Sequence, residues 1–265
     1  MNTLPVYRRR MADSRRALFG WGLGLAGVCA LYLPLFPSMR DSGLIGDKLQ
    51  AMPAGMLDSF GLDILTMSTG WGYAHQTVFA MLGMLLLLVF GIIQGARAIA
   101  GEEESGSLEL LLAHATDRTS VLTARLLAVV TCVIGLVALL VAVVAALNTP
   151  SELSLTAEGL LGEGAALGLL VLLHALVAFT VGAVTGRRSL ATAVASIVAV
   201  LGWFVHNMGA KIDDRLPDLS PFHWAYGATP LHSGPDGAGL LWLAVACVVL
   251  AVLAYLGFTR RDLRA

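Results

Sequence analysis

Six long apolar runs constrain this chain more than any other feature of its sequence. A helix needs about 20 residues to cross a hydrocarbon core of about 30 Å, and backbone polar groups in lipid must be paired within the spanning segment. Each run is therefore predicted to be a membrane-spanning helix. The runs lie near 17–37, 74–96, 119–147, 159–185, 189–209 and 238–258. They predict an all-α integral membrane protein with six transmembrane helices.

The composition agrees with a membrane protein and excludes other classes. The chain is 57% hydrophobic and 13% charged, with a mean hydropathy of +0.78, far from an ordinary globular average. A net charge of −1 argues against a nucleic-acid partner. Cys29, Cys132 and Cys247 all lie inside apolar runs and form no CxxC pair, so we expect them to be packing residues. No cofactor is predicted.

The distribution of Lys and Arg predicts the orientation of the chain. Thirteen of the 17 fall on one side of the six runs and four on the other. Because cytoplasmic loops carry the excess of positive charge, we expect both termini to be cytoplasmic. The four on the opposite side are Arg40, Lys48, Lys211 and Arg215. The predicted location is a cell membrane, inner or plasma, with the chain as a multi-pass protein among lipids.

Three segments divide the chain. Residues 1–16 are basic and weakly amphipathic, which predicts an interfacial helix before the first span. Residues 17–258 hold the six spans, and 259–265 form a cytoplasmic tail. Arg15 and Arg16 before an apolar core resemble a twin-arginine signal, but no small-residue cleavage site follows and five more spans do. We therefore interpret these arginines as anchors of the first span.

The connection between the second and third runs cannot lie in a bilayer. Four glutamates cluster there, and an acidic residue at the centre of a membrane helix costs about 2.5 to 3.5 kcal/mol. Leu108, Leu111 and Leu112 recur at helical spacing, with Glu109 on another face. The pattern predicts a short amphipathic helix that presents its leucines to a partner in the cytoplasm. The alternative is a solvated loop helix with no partner.

This connection resembles the segment after the second span in ABC-2-type exporter permeases. Residues 100–114 have the glutamate-rich start, the glycine, the Leu-Glu pair and the leucine run of that segment, and Arg118 follows. Residues 220–224 and 229–231 resemble the external segment before that family's last span, and 258–263 resemble its tail. Ala115 departs from the pattern, because many members carry proline there, and this affects the shape of the following turn.

The resemblance implies a permease subunit that transports its substrate with energy from separate ATPase subunits. It implies a dimer, homomeric or heteromeric, with two ATPase subunits docked on the cytoplasmic face, and a lipophilic or amphipathic cargo. The 102–118 segment is then a coupling helix, in which acidic side chains meet basic residues of the ATPase. The residues implied in ATPase coupling are Glu102, Glu103, Glu104, Gly106, Leu108, Glu109, Leu111, Leu112 and Arg118.

Two other classes of function agree less well with the sequence. The chain is not predicted to be an enzyme, since neither Lys48 nor Lys211 follows a GxxxxGK(S/T) phosphate loop, and no HExxH or GxSxG motif is present. An ion-gradient-driven secondary transporter remains the alternative, although His174 is the one ionisable residue in mid-span. A metal site among the external histidines and aspartates lacks ligand spacing, so a polar loop is the simpler interpretation.

Overall fold

The computed structural model describes residues 3–42, 64–104 and 117–260, and all regular secondary structure in these ranges is helical. Within these ranges six helices are long and apolar enough to cross a membrane, which confirms the six predicted spans. In chain order they are Thr3–Asp41, Gly70–Ala98, Arg118–Asn148, Ala157–Thr185, Arg188–Lys211 and Gly237–Arg260. We refer to them below as the first to sixth spans.

Several spans contain breaks in their α-helical geometry, and short helices connect them. The first span comprises an α-helix, a 3₁₀ turn and a short α-helix, and the second contains a π-helix between two α-helices. The bounds within these two spans are Thr3–Tyr32, Leu33–Leu35 and Phe36–Asp41, then Gly70–Ala74, His75–Leu82 and Gly83–Ala98. The fifth span is the α-helix Arg188–Met208 followed by the 3₁₀ turn Gly209–Lys211. The connecting helices are Ile64–Met67, Ala100–Glu104, Pro217–Leu219, Pro221–Tyr226 and Pro230–Ser233.

The amino-terminal segment differs from its prediction. Instead of a separate interfacial helix over 1–16, one continuous helix runs from Thr3 to Tyr32. No Gly or Pro interrupts residues 6–19, and helix breakers of that kind are what would end it. The segment packs on the third span, where the Tyr7 hydroxyl donates to Thr131 Oγ1 at 3.1 Å. The basic segment therefore belongs to the helical bundle.

The fourth span is the central helix of the bundle. Its apolar window is 67% buried, the largest share among the six spans, and it packs against the second, third, fifth and sixth spans. Close approach to the second span depends on Gly95, where an added Cβ would lie 2.1 Å from the carbonyl oxygen of Ala175. Small residues allow such backbone contact between membrane helices.

The fifth span is the least buried, with only 11% of its window inside the chain. Its exposed side chains include the large apolar residues Ile197, Val200, Leu201 and Phe204. An apolar face of this kind suits lipid or another membrane helix rather than water.

The contact at Gly95 leads to a stability prediction. Gly95→Ala places a methyl group against backbone of the fourth span, and overpacking of this kind costs about 1–3 kcal/mol. We expect the thermal unfolding midpoint in detergent to fall. Gly135→Ala is the matched control, because nothing lies within 4 Å of a Cβ at that position. Equal midpoints for the two variants would contradict this account of the packing.

Candidate functional site

The segment predicted to couple to an ATPase is described at its two ends. Glu102, Glu103, Glu104 and Arg118 lie in the described part of the chain. The remaining predicted residues lie outside it, and they are Gly106, Leu108, Glu109, Leu111 and Leu112. The described part of the site consists of the helix Ala100–Glu104 and the start of the third span. One residue separates this helix from the second span.

The carboxylate of Glu102 joins three parts of the bundle. Its Oε2 lies 2.8 Å from Nη2 of Arg125 on the third span, and its Oε1 lies 3.6 Å from Nη1 of Arg10 on the first. All three side chains are at most 15% exposed. Burial raises the pKa of Glu102, and the charges of Arg125 and Arg10 oppose that rise. We call these three residues the Glu102 charge cluster.

Arg10 and Arg125 belong to the side of the chain with the excess of positive charge, and the structure shows both of them paired with Glu102. Arg10 also donates to Oε1 of the buried Gln94 at 3.4 Å, near the end of the second span. Charges taken out of water are costly unless they are paired. The cluster therefore fixes the helix Ala100–Glu104 against the first and third spans.

Glu104 connects the same short helix to the fifth span. Its Oε1 accepts a hydrogen bond from the backbone N–H of Arg188, at 2.8 Å. Arg188 is the first residue of that span, and no side chain of the preceding residue caps it. A carboxylate at this position satisfies a free N–H and favours the positive end of the helix dipole. Sequence reasoning missed this contact.

Glu103 and Arg118 are the other two described residues of the predicted coupling segment. Glu103 is half-buried, and its backbone N–H bonds to the carbonyl of Ile99. Arg118 is half-buried at the start of the third span, directly after Asp117 in extended conformation. The structure thus brings Glu102 and Glu104 into contacts with the spans and places Glu103 and Arg118 beside them.

A second buried carboxylate lies at the opposite end of the bundle. Glu163 is fully buried in the fourth span, and its Oε1 lies 2.6 Å from Nδ1 of His75 in the second. Its Oε2 accepts a hydrogen bond from the backbone N–H of Leu231 at 3.0 Å. Tyr226 donates its hydroxyl to the carbonyl of Phe79 at 2.8 Å. These bonds hold the segment before the sixth span against the second and fourth spans.

The histidines and aspartates around the connection between the fifth and sixth spans show limited contact with each other. His223 Nε2 lies 3.5 Å from Asp218 Oδ1, and the rings of His223 and His206 are 5.8 Å apart. In the described ranges no group of three or more His, Cys, Asp or Glu side chains is arranged to hold a metal ion.

Comparison with known proteins assigns the chain to a class of membrane transporter. The family model for the ABC-2 family transporter protein matches residues 4–263, which is nearly the whole chain. The chain belongs to this family, and the resemblance seen in the sequence is confirmed. No curated protein matches the chain.

The Glu102 charge cluster leads to a second stability prediction. Glu102→Gln removes the carboxylate that pairs with Arg125 and Arg10, and loss of one partner from such a contact costs about 1–3 kcal/mol. We expect a lower unfolding midpoint in detergent, partly restored in the double variant Glu102→Gln/Arg125→Met. Glu152→Gln is the control, because its pair with Arg40 is exposed and exposed pairs contribute little. Equal effects in Glu102 and Glu152 variants would refute the role of the cluster.

Proposed function

We propose that the chain is the permease subunit of an ATP-driven exporter, whose energy comes from a separate ATPase chain. The family match over residues 4–263 carries this proposal. Six apolar spans supply the membrane domain, and members of a transporter family of this kind work with an ABC ATPase subunit. Transport direction, cargo and dependence on ATP are parts of the proposal.

The segment 102–118 is proposed as the coupling helix. In this proposal its leucine face, Leu108, Leu111 and Leu112, enters a groove on the ATPase, and Glu109 meets a basic residue there. Glu102 and Glu104 then have a different task from the one that the sequence suggested. Their contacts to Arg125 and to the N–H of Arg188 support a role in passing movement of the segment to the spans.

The proposed complex contains a second permease copy or paralogue. The exposed apolar face of the fifth span supports this, because it offers large side chains to a neighbouring helix. Burial of such side chains against a partner in lipid depends on close packing and not on water exclusion. The proposed cargo path lies between the two permease subunits, with apolar walls that favour a lipophilic or amphipathic substrate.

One observation favours the alternative of an ion-gradient-driven carrier. The His75–Glu163 pair is buried within two of the spans, and intramembrane ionisable residues are typical of proton and ion pathways. Reconstitution separates the two functions. Uptake into vesicles that requires ATP and a co-purified ATPase supports the exporter, whereas uptake by the permease alone under a proton gradient supports the carrier.

Charge and polarity changes in the segment test the coupling proposal. We expect Glu109→Lys and Leu112→Asp each to lower ATP-dependent transport by about tenfold or more, because central interface residues carry most of the binding energy. Membrane insertion and thermal stability should stay unchanged. Asp214→Lys is the control, as an exposed residue of the opposite connection. Full transport in both coupling variants would contradict the proposal that this segment is the coupling helix.

The sidedness of the membrane is tested by labelling introduced cysteines. The three native cysteines are buried, so they give little background. With an impermeant maleimide on intact cells, we expect Asp214→Cys to react and Glu109→Cys to react only after permeabilisation. The reverse result would place the segment 102–118 outside the cell and exclude contact with a cytoplasmic ATPase.

A further inference from the structure

A cleft between the second and fifth spans has an apolar part of substantial size. Its cavity is about 380 Å³, within the usual range for small-molecule sites of about 300–1,000 Å³. Met84 and Leu88 of the second span face Ala199 and Trp203 of the fifth, and Phe222 closes one end. The cavity is lined almost entirely by aliphatic and aromatic side chains, so it suits a hydrocarbon group.

A small polar pocket continues from the apolar cavity. The pocket is about 50 Å³ and shares Gln76, Ala80 and Trp203 with the larger cavity. Its polar lining consists of His75, Gln76, Trp203, His206, Asn207 and Tyr226. The two spaces therefore form one cleft with an apolar body and a polar end.

The π-helix of the second span shapes this polar end. The N–H of Gly83 bonds to the carbonyl of Val78, five residues earlier, so one turn is wider than in an α-helix. The carbonyl of Phe79 accepts the Tyr226 hydroxyl. Wide turns of this kind are frequent at functional sites because they redirect neighbouring side chains. His75 and Gln76 begin the π-helix and both line the pocket.

Hydrogen bonds within the protein already use several donors of the pocket. Tyr226 donates its hydroxyl hydrogen, and the Asn207 amide donates to the carbonyl of Trp203 at 2.9 Å. Nδ1 of His75 is engaged with Glu163. When Nδ1 of a neutral His75 donates its proton to Glu163, His75 Nε2 is an acceptor, as are the Tyr226 oxygen and the Asn207 carbonyl oxygen.

The charges around the polar pocket limit the kinds of headgroup that can bind there. The lining of the polar pocket contains no Lys or Arg, so it offers no counter-charge to an anion. The Glu163 side chain lies directly behind His75, and a carboxylate there repels negative charge. A headgroup that donates hydrogen bonds fits both observations.

We propose that this cleft binds an amphipathic molecule whose small polar end is a hydroxyl or a primary amine. The hydrocarbon part occupies the cavity between the second and fifth spans, and the headgroup donates hydrogen bonds to Asn207 and His75. This inference rests on the proposed function in one respect, because it names the class of cargo for the exporter.

Binding is tested on the permease alone in lipid nanodiscs, without ATPase or nucleotide. Three probes of equal chain length are compared: ω-bromododecylamine, ω-bromododecanol and ω-bromododecanoate. Bromine quenches nearby tryptophan fluorescence, and Trp203 lines both parts of the cleft. We expect saturable quenching by the amine and the alcohol that is absent in Trp203→Phe, and at least about tenfold weaker binding of the carboxylate. Because no nucleotide is used, failure of ATP-driven transport would leave this result unaffected.

Two variants test the two parts of the cleft separately. Ala80→Phe fills the junction of cavity and pocket, and Asn207→Leu removes a polar contact from the headgroup end. We expect each to weaken binding of the alcohol about tenfold or more. Val248→Phe, on an exposed position of the sixth span, is the control and should bind normally. Equal binding of all three probes, quenching that persists in Trp203→Phe, or normal binding by both cleft variants would overturn the proposal.

Discussion

The ionic contact between Glu102 and Arg125 decides how one end of this bundle is held together. The first span, the third span and the helix Ala100–Glu104 meet there, and their charged side chains are largely shielded from water. A buried charge pair gives little net stability, but loss of one member is costly. The contact therefore fixes geometry more than it adds stability. The neighbouring carboxylate of Glu104 fixes the same short helix to the start of the fifth span.

The second span connects the two polar ends of the bundle. At its carboxyl-terminal end it continues toward Glu102, and near its amino-terminal end His75 pairs with Glu163. Between these ends Gly95 allows backbone contact with the fourth span. A rotation or shift of the second span would thus alter both carboxylate contacts at once. Its π-helix, His75–Leu82, is the section with the least regular geometry and lines the cleft against the fifth span.

Hydropathy predicted the number and location of the spans because lipid imposes a helix on every crossing segment. It could not predict which polar residues meet. Glu102 and Arg125 are separated by most of a connection and part of a span, and Glu163 and His75 by two helices. Only packing brings them together. The basic amino-terminal pattern suggested a surface helix, yet Arg10 is among buried neighbours, because a helix without a breaker simply continues into the bundle.

The central position of the fourth span has a consequence for biogenesis. Synthesis from the amino terminus delivers the first three spans before the helix that most of the bundle packs around. Until Ala157–Thr185 enters the bilayer, His75 lacks its partner Glu163 and Gly95 lacks the backbone that packs against it. The first three spans of the nascent chain therefore lie in lipid or beside the insertion machinery with an incomplete core. A ribosome pause within the fourth span would prolong this stage.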